Sequence, residues 1–388
     1  ATLPLLKTQW LCRKSGKRVR LTMEPKADGS GVTFGIARDV PTGIDKRKTG
    51  GTMSRSGATC PCCGTTMTRQ DLRQEGKADN LGREMTAVVI DGPNGKEYRL
   101  PTDEERTATE RAEAELDTLY DKIPFGMPQE PVSKGGSRSS GGSPFTVHEY
   151  GLRQWNDLFT PRQLFAIGAF VKHTRRVREE MDTFSYGRVW REAVSALLSL
   201  CTDRITERNS TVCHYDVTRE SICGTFQRYA LQIAWDFSES VPPGNVTGSY
   251  AGQIDWVARV VQNGLDAAYG SAIAKQQSAT QELPSDLDAI VTDPPYYDAI
   301  PYSDAMDFFY VWLRRSLHGL SDEIDDVFSE PLAPKWDHEE EDGELIDDAS
   351  RFEGDTDRSK QAYEDGMAEA FERCYEALND DGRLCIVF

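Results

Sequence analysis

Long apolar runs are what this 388-residue chain most clearly lacks. None approaches the roughly 20 residues that a bilayer-spanning helix needs, and the opening residues ATLPLLKTQW have neither the charged nor the apolar region of a secretory leader. A membrane partner is therefore not expected, and a cytoplasmic location is. A disulfide framework is also missing. Nine cysteines is an odd number, and Cys60, Cys62 and Cys63 sit together, which suits reduced thiols and a metal better than bridges. Histidine is scarce, and His173 and His214 stand apart from any cysteine or carboxylate pattern, as surface or packing residues do. No glycine-rich loop follows an apolar strand: Gly29 and Gly31 punctuate a turn, and the glycines at 135–142 belong to the linker-like run GGSRSSGGS.

Positive charge is in deficit, with 45 Lys and Arg against 63 Asp and Glu and a net charge of −18. That balance disfavours phosphate binding, but its distribution weakens the objection. Residues 1–80 carry fifteen bases against seven acids, net +8, whereas residues 321–357 carry two against sixteen, net −14. Hydrophobic residues make up 38% of the chain, enough for a core, and the length allows two domains or one α/β domain with an insertion.

The most informative stretch is Leu287-Asp288-Ala289-Ile290-Val291-Thr292 followed by Asp293-Pro294-Pro295-Tyr296. The first six residues predict a short buried strand. It must stop at the prolines, which donate nothing to a ladder and fix their own φ. The acid and the tyrosine are thus held in an extended loop at the strand's carboxyl end, where open α/β sheets bind ligands. Such a loop suits a planar base with an exocyclic amine. The Asp293 carboxylate and the Pro294 carbonyl accept the amine hydrogens, and Tyr296 offers a flat face. Acceptors on those hydrogens favour charge build-up on nitrogen as it attacks a sulfonium methyl.

Asp293-Pro294-Pro295-Tyr296 after a strand resembles the amino-methyltransferase motif. The longer run DPPYYDAIPYSDAMDFFYVWLRRSL looks like the adenine-specific DNA methylases that carry a zinc-ribbon insert, as do YGLRQWNDLFTPRQL (Tyr150 to Leu164), GTFQRYALQIAWDFSES (Gly224 to Ser240) and the cysteine region. The resemblance implies S-adenosylmethionine as cofactor, DNA as partner, and an α/β fold: a partial Rossmann-like class I methyltransferase core with a small β-rich zinc-ribbon insert and a helical region. It implies Asp293 as acceptor for the target amine, Pro294 as its backbone helper and Pro295 as the residue fixing the loop. It also places Ser278 and Ala279 against the cofactor's adenine, although the acid usual in that stretch is absent. Methylation of RNA or of a protein glutamine uses the same amine geometry, and a non-catalytic nucleic-acid-binding module is the reading of another class.

Cys60-x-x-Cys63-Gly64 has the form of a zinc knuckle, with Cys62 a bystander. Two thiolates supply half of a tetrahedral set, and Cys12 stands alone. In the family resembled, a second cysteine pair and the glycine-rich cofactor loop precede the segment matching LPLLKTQWL. With no initial methionine and an end inside an apolar strand, the chain is expected to be an internal piece, catalytically silent alone and partnered by the segment or subunit carrying that loop.

Three regions are expected: a basic zinc-ribbon-like insert with a following strand and helix at 1–125, a flexible linker at 126–143, and the methyltransferase portion at 144–388, helical over 144–270 with the motif core at 271–388. Within them the patterns predict a hairpin around Asp28 to Gly31, a strand Met85 to Ile90 with an Asp91-Gly92 turn, and a helix from Thr102 to Leu119 capped by Thr102 and Glu105. A helix opens at Thr160 with Pro161 first, and 162–235 reads as largely helical, with Trp190, Trp235, Phe226 and Trp256 as core. Ser303 is expected to cap a helix to about Leu317 that presents Met306, Phe309, Tyr310 and Leu313 on one apolar side. The acidic tract Asp322 to Asp357 is expected as a solvated loop rather than a metal site. A last helix carries Tyr363 and Cys374, and Asn379 to Gly382 turns it into a core strand Leu384 to Phe388.

Overall fold

The computed structural model describes residues 2–44, 49–134, 145–226, 230–266, 270, 272–298 and 300–387. Among these the protein is mixed α/β, with eight α-helices and several small sheets. No helix among the described residues is long and apolar enough to cross a membrane. Residues 135–143, half of the expected linker, lie outside the described residues, as do 227–229 and 299 of the stretches carrying the resemblance and Phe388 of the expected last strand. The chain divides into two compact units: Ala1–Val132, Thr146–Arg259 and Val311–Asp326 in the first, and Ser133–Phe145, Val260–Tyr310 and Val327–Phe388 in the second.

The first unit opens with an antiparallel sheet of β1 (Trp10–Lys14), β2 (Lys17–Pro25) and β3 (Val32–Ala37). The β2–β3 turn contains Gly29 at φ 69°, a conformation that costs glycine nothing. Then come a small hairpin of β4 (Gly57–Thr59) and β5 (Thr66–Thr68), helix α1 (Arg69–Lys77), and a hairpin of β6 (Val88–Gly92) and β7 (Gly95–Arg99). The expected strand at Met85 to Ile90 therefore starts three residues later, and Asp91 and Gly92 are its last rungs. Pro93 and Asn94 make the turn, because proline's fixed φ favours the turn over the ladder.

Helices α1, α2 (Asp103–Tyr120) and α3 (Pro161–Thr183) each begin with a capping box, Thr68 with Asp71, Thr102 with Glu105 and Thr160 with Gln163. Each box satisfies two N–H groups that the first turn leaves unpaired. Arg99 adds a bidentate pair to Glu105 at 2.7 Å, which with the Thr102 contacts holds that carboxyl down to about 2. Helix α2 packs closely on α3 at Gly168, where a Cβ would come within 2.9 Å of the Tyr120 ring. The Tyr120 hydroxyl donates to the Leu164 carbonyl at 2.8 Å. Helix α4 (Arg188–Glu207) packs on α3 in turn.

Helical structure stops at Glu207. From there to Trp235 the described chain holds only the short pair β8 (Tyr215–Asp216) and β9 (Ser221–Ile222), so the expected long helical region is too long. Three- and four-residue spacing persisted there by accident in a segment whose backbone is tied to tertiary partners, such as Thr211 N–H to the Leu158 carbonyl at 2.7 Å. The core assignment also fails for two tryptophans. Trp190 on α4 is 66% exposed and Trp256 on α5 (Tyr250–Asp266) is 58% exposed. Trp235 meets Tyr150 edge to face at 5.2 Å, as a packed ring should.

Buried in α4 is Asp203, whose Oδ1 has no partner among the described residues. Burial pushes its carboxyl well above the ordinary range. Because the folded-state value lies above the unfolded one, the protonated acid is stable below the unfolded pKa, and that stability is lost as pH rises through the folded pKa. Asp203→Asn should therefore gain on the wild type as pH rises, by on the order of 1–3 kcal/mol at pH 8. Melting profiles of the two proteins from pH 4.5 to 8 that ran parallel would exclude this.

In the second unit, β10 (Leu287–Thr292) pairs in parallel with β13 (Leu378–Ile386), with a register shift between Leu287 and Ala289. Strand β10 has the expected bounds but is not buried: Val291 is 73% exposed. Parallel strands are usually covered on both faces by crossover helices, and among the described residues this sheet has two strands. Likewise Cys385 and Val387 lie exposed rather than in a core. Asn379 to Gly382 sit inside β13 at the register shift instead of forming a separate turn.

Helix α6 (Tyr302–Leu317) ends at His318 and Gly319, the latter at φ 73°, as expected. Of the expected side Tyr310 is buried and Phe309 and Leu313 are half-buried, but the rest of the buried side is different. Asp304, Asp307, Phe308, Val311, Trp312 and Arg315 are buried at helical spacing, whereas Met306 is 47% exposed. Hydrophobic periodicity missed this because three of those positions are charged and are buried only with partners. Short helix α7 (Asp322–Val327), the two-residue strands β11 (Trp336–Asp337) and β12 (Asp342–Gly343), and helix α8 (Thr356–Ala377) complete the chain.

Candidate active site at the Asp293 loop

Strand β10 stops where its prolines require. Its last rung is the Val387 N–H to Thr292 carbonyl bond at 2.8 Å, and neither Pro294 nor Pro295 has an N–H to continue. Asp293 emerges exposed at the carboxyl end of the strand. Tyr296 is 41% exposed, and its hydroxyl donates to Asp293 Oδ1 at 3.2 Å. One carboxylate oxygen is thus engaged within the motif. Oδ2 and the Pro294 carbonyl accept no hydrogen bond among the described residues.

The back of the loop is fixed more firmly. The Pro295 carbonyl accepts from the Tyr363 hydroxyl at 3.0 Å and from the Tyr297 N–H at 3.2 Å. Tyr297 lies at φ 43°, a left-handed conformation rare for an aromatic residue. Its ring meets Tyr363 edge to face at 4.9 Å, and its carbonyl accepts the Asp347 N–H at 3.1 Å. Asp347 is itself held by the Ser359 hydroxyl at 2.7 Å. Burial, and then the nearby Asp347 carboxylate, raise the Tyr297 phenol above its ordinary value.

Behind the loop lies a buried charge network. Ser303 is expected as the helix cap but sits one residue inside α6, and its N–H and hydroxyl both donate to Glu344, at 3.1 and 2.7 Å. Arg351 bonds Glu344 at 2.6 Å and approaches Asp304 at 3.4 Å and Asp348 at 3.5 Å. Lys335 bonds Asp307 at 2.8 Å. Burial pushes Asp307 up to about 6 in spite of that lysine. Part of the acidic tract is therefore folded against α6 rather than solvated: Asp348 is 1% exposed and Ile346 5%. Charge count could not separate these acids from the exposed ones, since one arginine, Arg351, three residues from Asp348 and seven from Glu344, meets both only once the segment has folded. His338 Nε2 lies 2.8 Å from the Arg351 carbonyl.

The other predicted site residues are placed separately. Ser278 donates to Asp342 Oδ1 at 2.7 Å, and Ala279 is exposed. Cys60 and Cys63 flank a tight turn closed by the Gly64 N–H to Cys60 carbonyl bond at 2.9 Å, with Gly64 at φ 75°. That is the shape of a knuckle, but no group of three or more metal-ligating side chains gathers among the described residues. Cys12 packs instead with Val19 and Tyr98 and donates to the Lys17 carbonyl at 3.3 Å. Cys63 forms a 3.3 Å contact with the Thr65 hydroxyl, which with the Thr65 backbone lowers its thiol pKa. The residues fit half a zinc site and no more.

No protein-family model, curated protein or solved structure matches this chain. The residues that sequence reasoning missed are Tyr363, Asp347, Glu344 and Arg351. Tyr363 was visible only as an apolar position on a helix, and nothing local marks its hydroxyl as the group that holds Pro295.

Proposed function

We propose that the Asp293–Tyr296 loop recognises the exocyclic amine of a DNA adenine in an S-adenosylmethionine-dependent methyl transfer, within a partial Rossmann-like core. The observation carrying this reading is the pair of unspent acceptors, Asp293 Oδ2 and the Pro294 carbonyl, at the carboxyl end of a parallel strand beside a half-exposed tyrosine. Asp293 takes one amine hydrogen, the Pro294 carbonyl takes the other, and Tyr296 supports the ring of a base turned out of the duplex. Both act as hydrogen-bond acceptors: as the nitrogen gives its lone pair to the methyl carbon it becomes positive and its N–H groups donate more strongly, so both acceptors bind the transition state better than the ground state, and the surplus proton leaves the nitrogen towards the Asp293 carboxylate. S-adenosylmethionine supplies the methyl group when bound; Ser278 and Ala279 are not assigned to hold it.

The test is methyl transfer by the gene's full product, supplied with labelled S-adenosylmethionine and, separately, DNA, RNA and protein. Label in N6-methyladenine of DNA is expected. Label confined to RNA or to protein glutamine would overturn the substrate assignment, and none in any substrate would overturn the reaction.

Tyr363 should behave as a positioning residue. Tyr363→Phe removes the hydrogen bond to Pro295 while keeping the ring that packs on Tyr297. Turnover is expected to fall roughly tenfold, consistent with about 1 kcal/mol for one hydrogen bond, with DNA affinity unchanged. An unchanged rate would remove Tyr363 from the site.

A further inference from the structure

The basic amino-terminal residues take no part in the site above, and their arrangement is costly. On the β1–β2 hairpin Arg13 is directly opposite Arg18, and Lys14 is directly opposite Lys17. Like charges placed so oppose pairing. The two rungs are treated differently. Lys14 and Lys17 both reach buried Glu220, at 2.7 and 2.6 Å. Burial alone would raise that acid, but the two lysines and the Tyr98 hydroxyl hold it down to about 2. Arg13 and Arg18 have no carboxylate partner among the described residues, in a chain where acids outnumber bases 63 to 45.

What holds this second pair is Trp10. The Arg18 guanidinium lies 4.8 Å from the centre of its ring and that of Arg13 6.0 Å. Arg18 Nε is buried there without a hydrogen-bond partner. A guanidinium stacked on an indole keeps its plane fixed while its outer N–H groups stay available for a bidentate acceptor. Neighbouring Arg20 is tied to Gln9 Oε1 at 2.8 Å.

We propose that Arg13 and Arg18, preorganised on Trp10, form a docking site for the phosphodiester backbone of DNA, outside the Asp293 loop. Two adjacent forks with unspent donors match the oxygens of a phosphate strand. They also explain why the hairpin keeps a like-charged rung that no carboxylate among the described residues neutralises. The choice of DNA over RNA rests on the proposed substrate; recognition of the phosphate strand does not.

The test is anisotropy of a short labelled DNA duplex against the protein over a range of salt. Arg13→Ser/Arg18→Ser should weaken binding by 10-fold or more and flatten the slope of log affinity against log salt by about 2, at roughly 0.9 per phosphate contact. Arg13→Lys/Arg18→Lys, which keeps charge but not the stacked fork, should fall between. Arg99→Gln, at an arginine spent on Glu105, should bind like wild type. Trp10 emission should shift on binding in the wild type, and circular dichroism checks that the variants fold. Equal binding by the serine variant, no binding by the wild type at low salt, or a preference for RNA or anionic vesicles would each overturn the proposal. The binding measurement contains no S-adenosylmethionine, so a loss of duplex affinity confined to the Arg13/Arg18 variants upholds this site even if no methyl transfer is found, and methyl transfer without that loss overturns it alone.

Discussion

Methyl transfer by the Asp293→Asn variant is expected to fall by about 100- to 1,000-fold, the range for loss of one preorganised charged or polar group facing developing charge. The substitution keeps the size and one acceptor oxygen but removes the negative charge. Because the charge matters most when nitrogen becomes positive, the loss should appear in kcat, with the Kd for DNA nearly unchanged. Stability should not change, since Asp293 is exposed and its only hydrogen bond among the described residues is the 3.2 Å contact from Tyr296. Tyr296→Ala should differ in kind: a lost stacking face raises KM more than it lowers kcat. Steady-state kinetics on a single-site duplex, with melting temperatures alongside, distinguish these outcomes. Asp293→Asn turnover within tenfold of wild type would remove the carboxylate from the reaction.

The largest stability effect is expected at Glu130. Arg315 is 1% exposed, and Glu130 answers its charge through contacts of 2.9 and 3.0 Å. The same guanidinium also donates to the carbonyls of Gly126, Met127 and Val311, at 2.8, 3.0 and 2.8 Å. Burial lowers the arginine's pKa, and Glu130 opposes that. Glu130→Leu leaves a buried cation with carbonyls alone and should destabilise the first unit by about 3–5 kcal/mol. Glu130→Leu/Arg315→Met should recover most of that loss, because two apolar groups bury without a charge to desolvate. Urea unfolding of the three proteins provides the test. A Glu130→Leu variant within about 1 kcal/mol of wild type would mean that the carbonyl cage suffices.

Local chemistry was readable directly. The capping boxes at Thr102 and Thr160, the hairpin at Gly29, the bounds of β10 and the stop at Gly319 each depend on residues within four positions of one another. They concern orphan N–H groups, positive φ and missing proline donors, all of which are present in the sequence before any folding. The same reasoning placed the Asp293 loop at a strand end.

Tertiary structure alone decided which faces are covered. Met306 and Val291 are apolar yet exposed, while Asp304, Asp307 and Arg315 are charged yet buried. A periodic pattern assigns burial by side-chain type, but a charge can be buried when a distant partner compensates it. For these three the partners are Arg351, Lys335 and Glu130, 47, 28 and 185 residues away. The same holds for Tyr363, whose hydroxyl reaches Pro295 across 68 residues. Helical spacing put Tyr363 on α8, but only the fold brought its hydroxyl to the loop, because a hydrogen bond depends on where two segments meet rather than on what either contains.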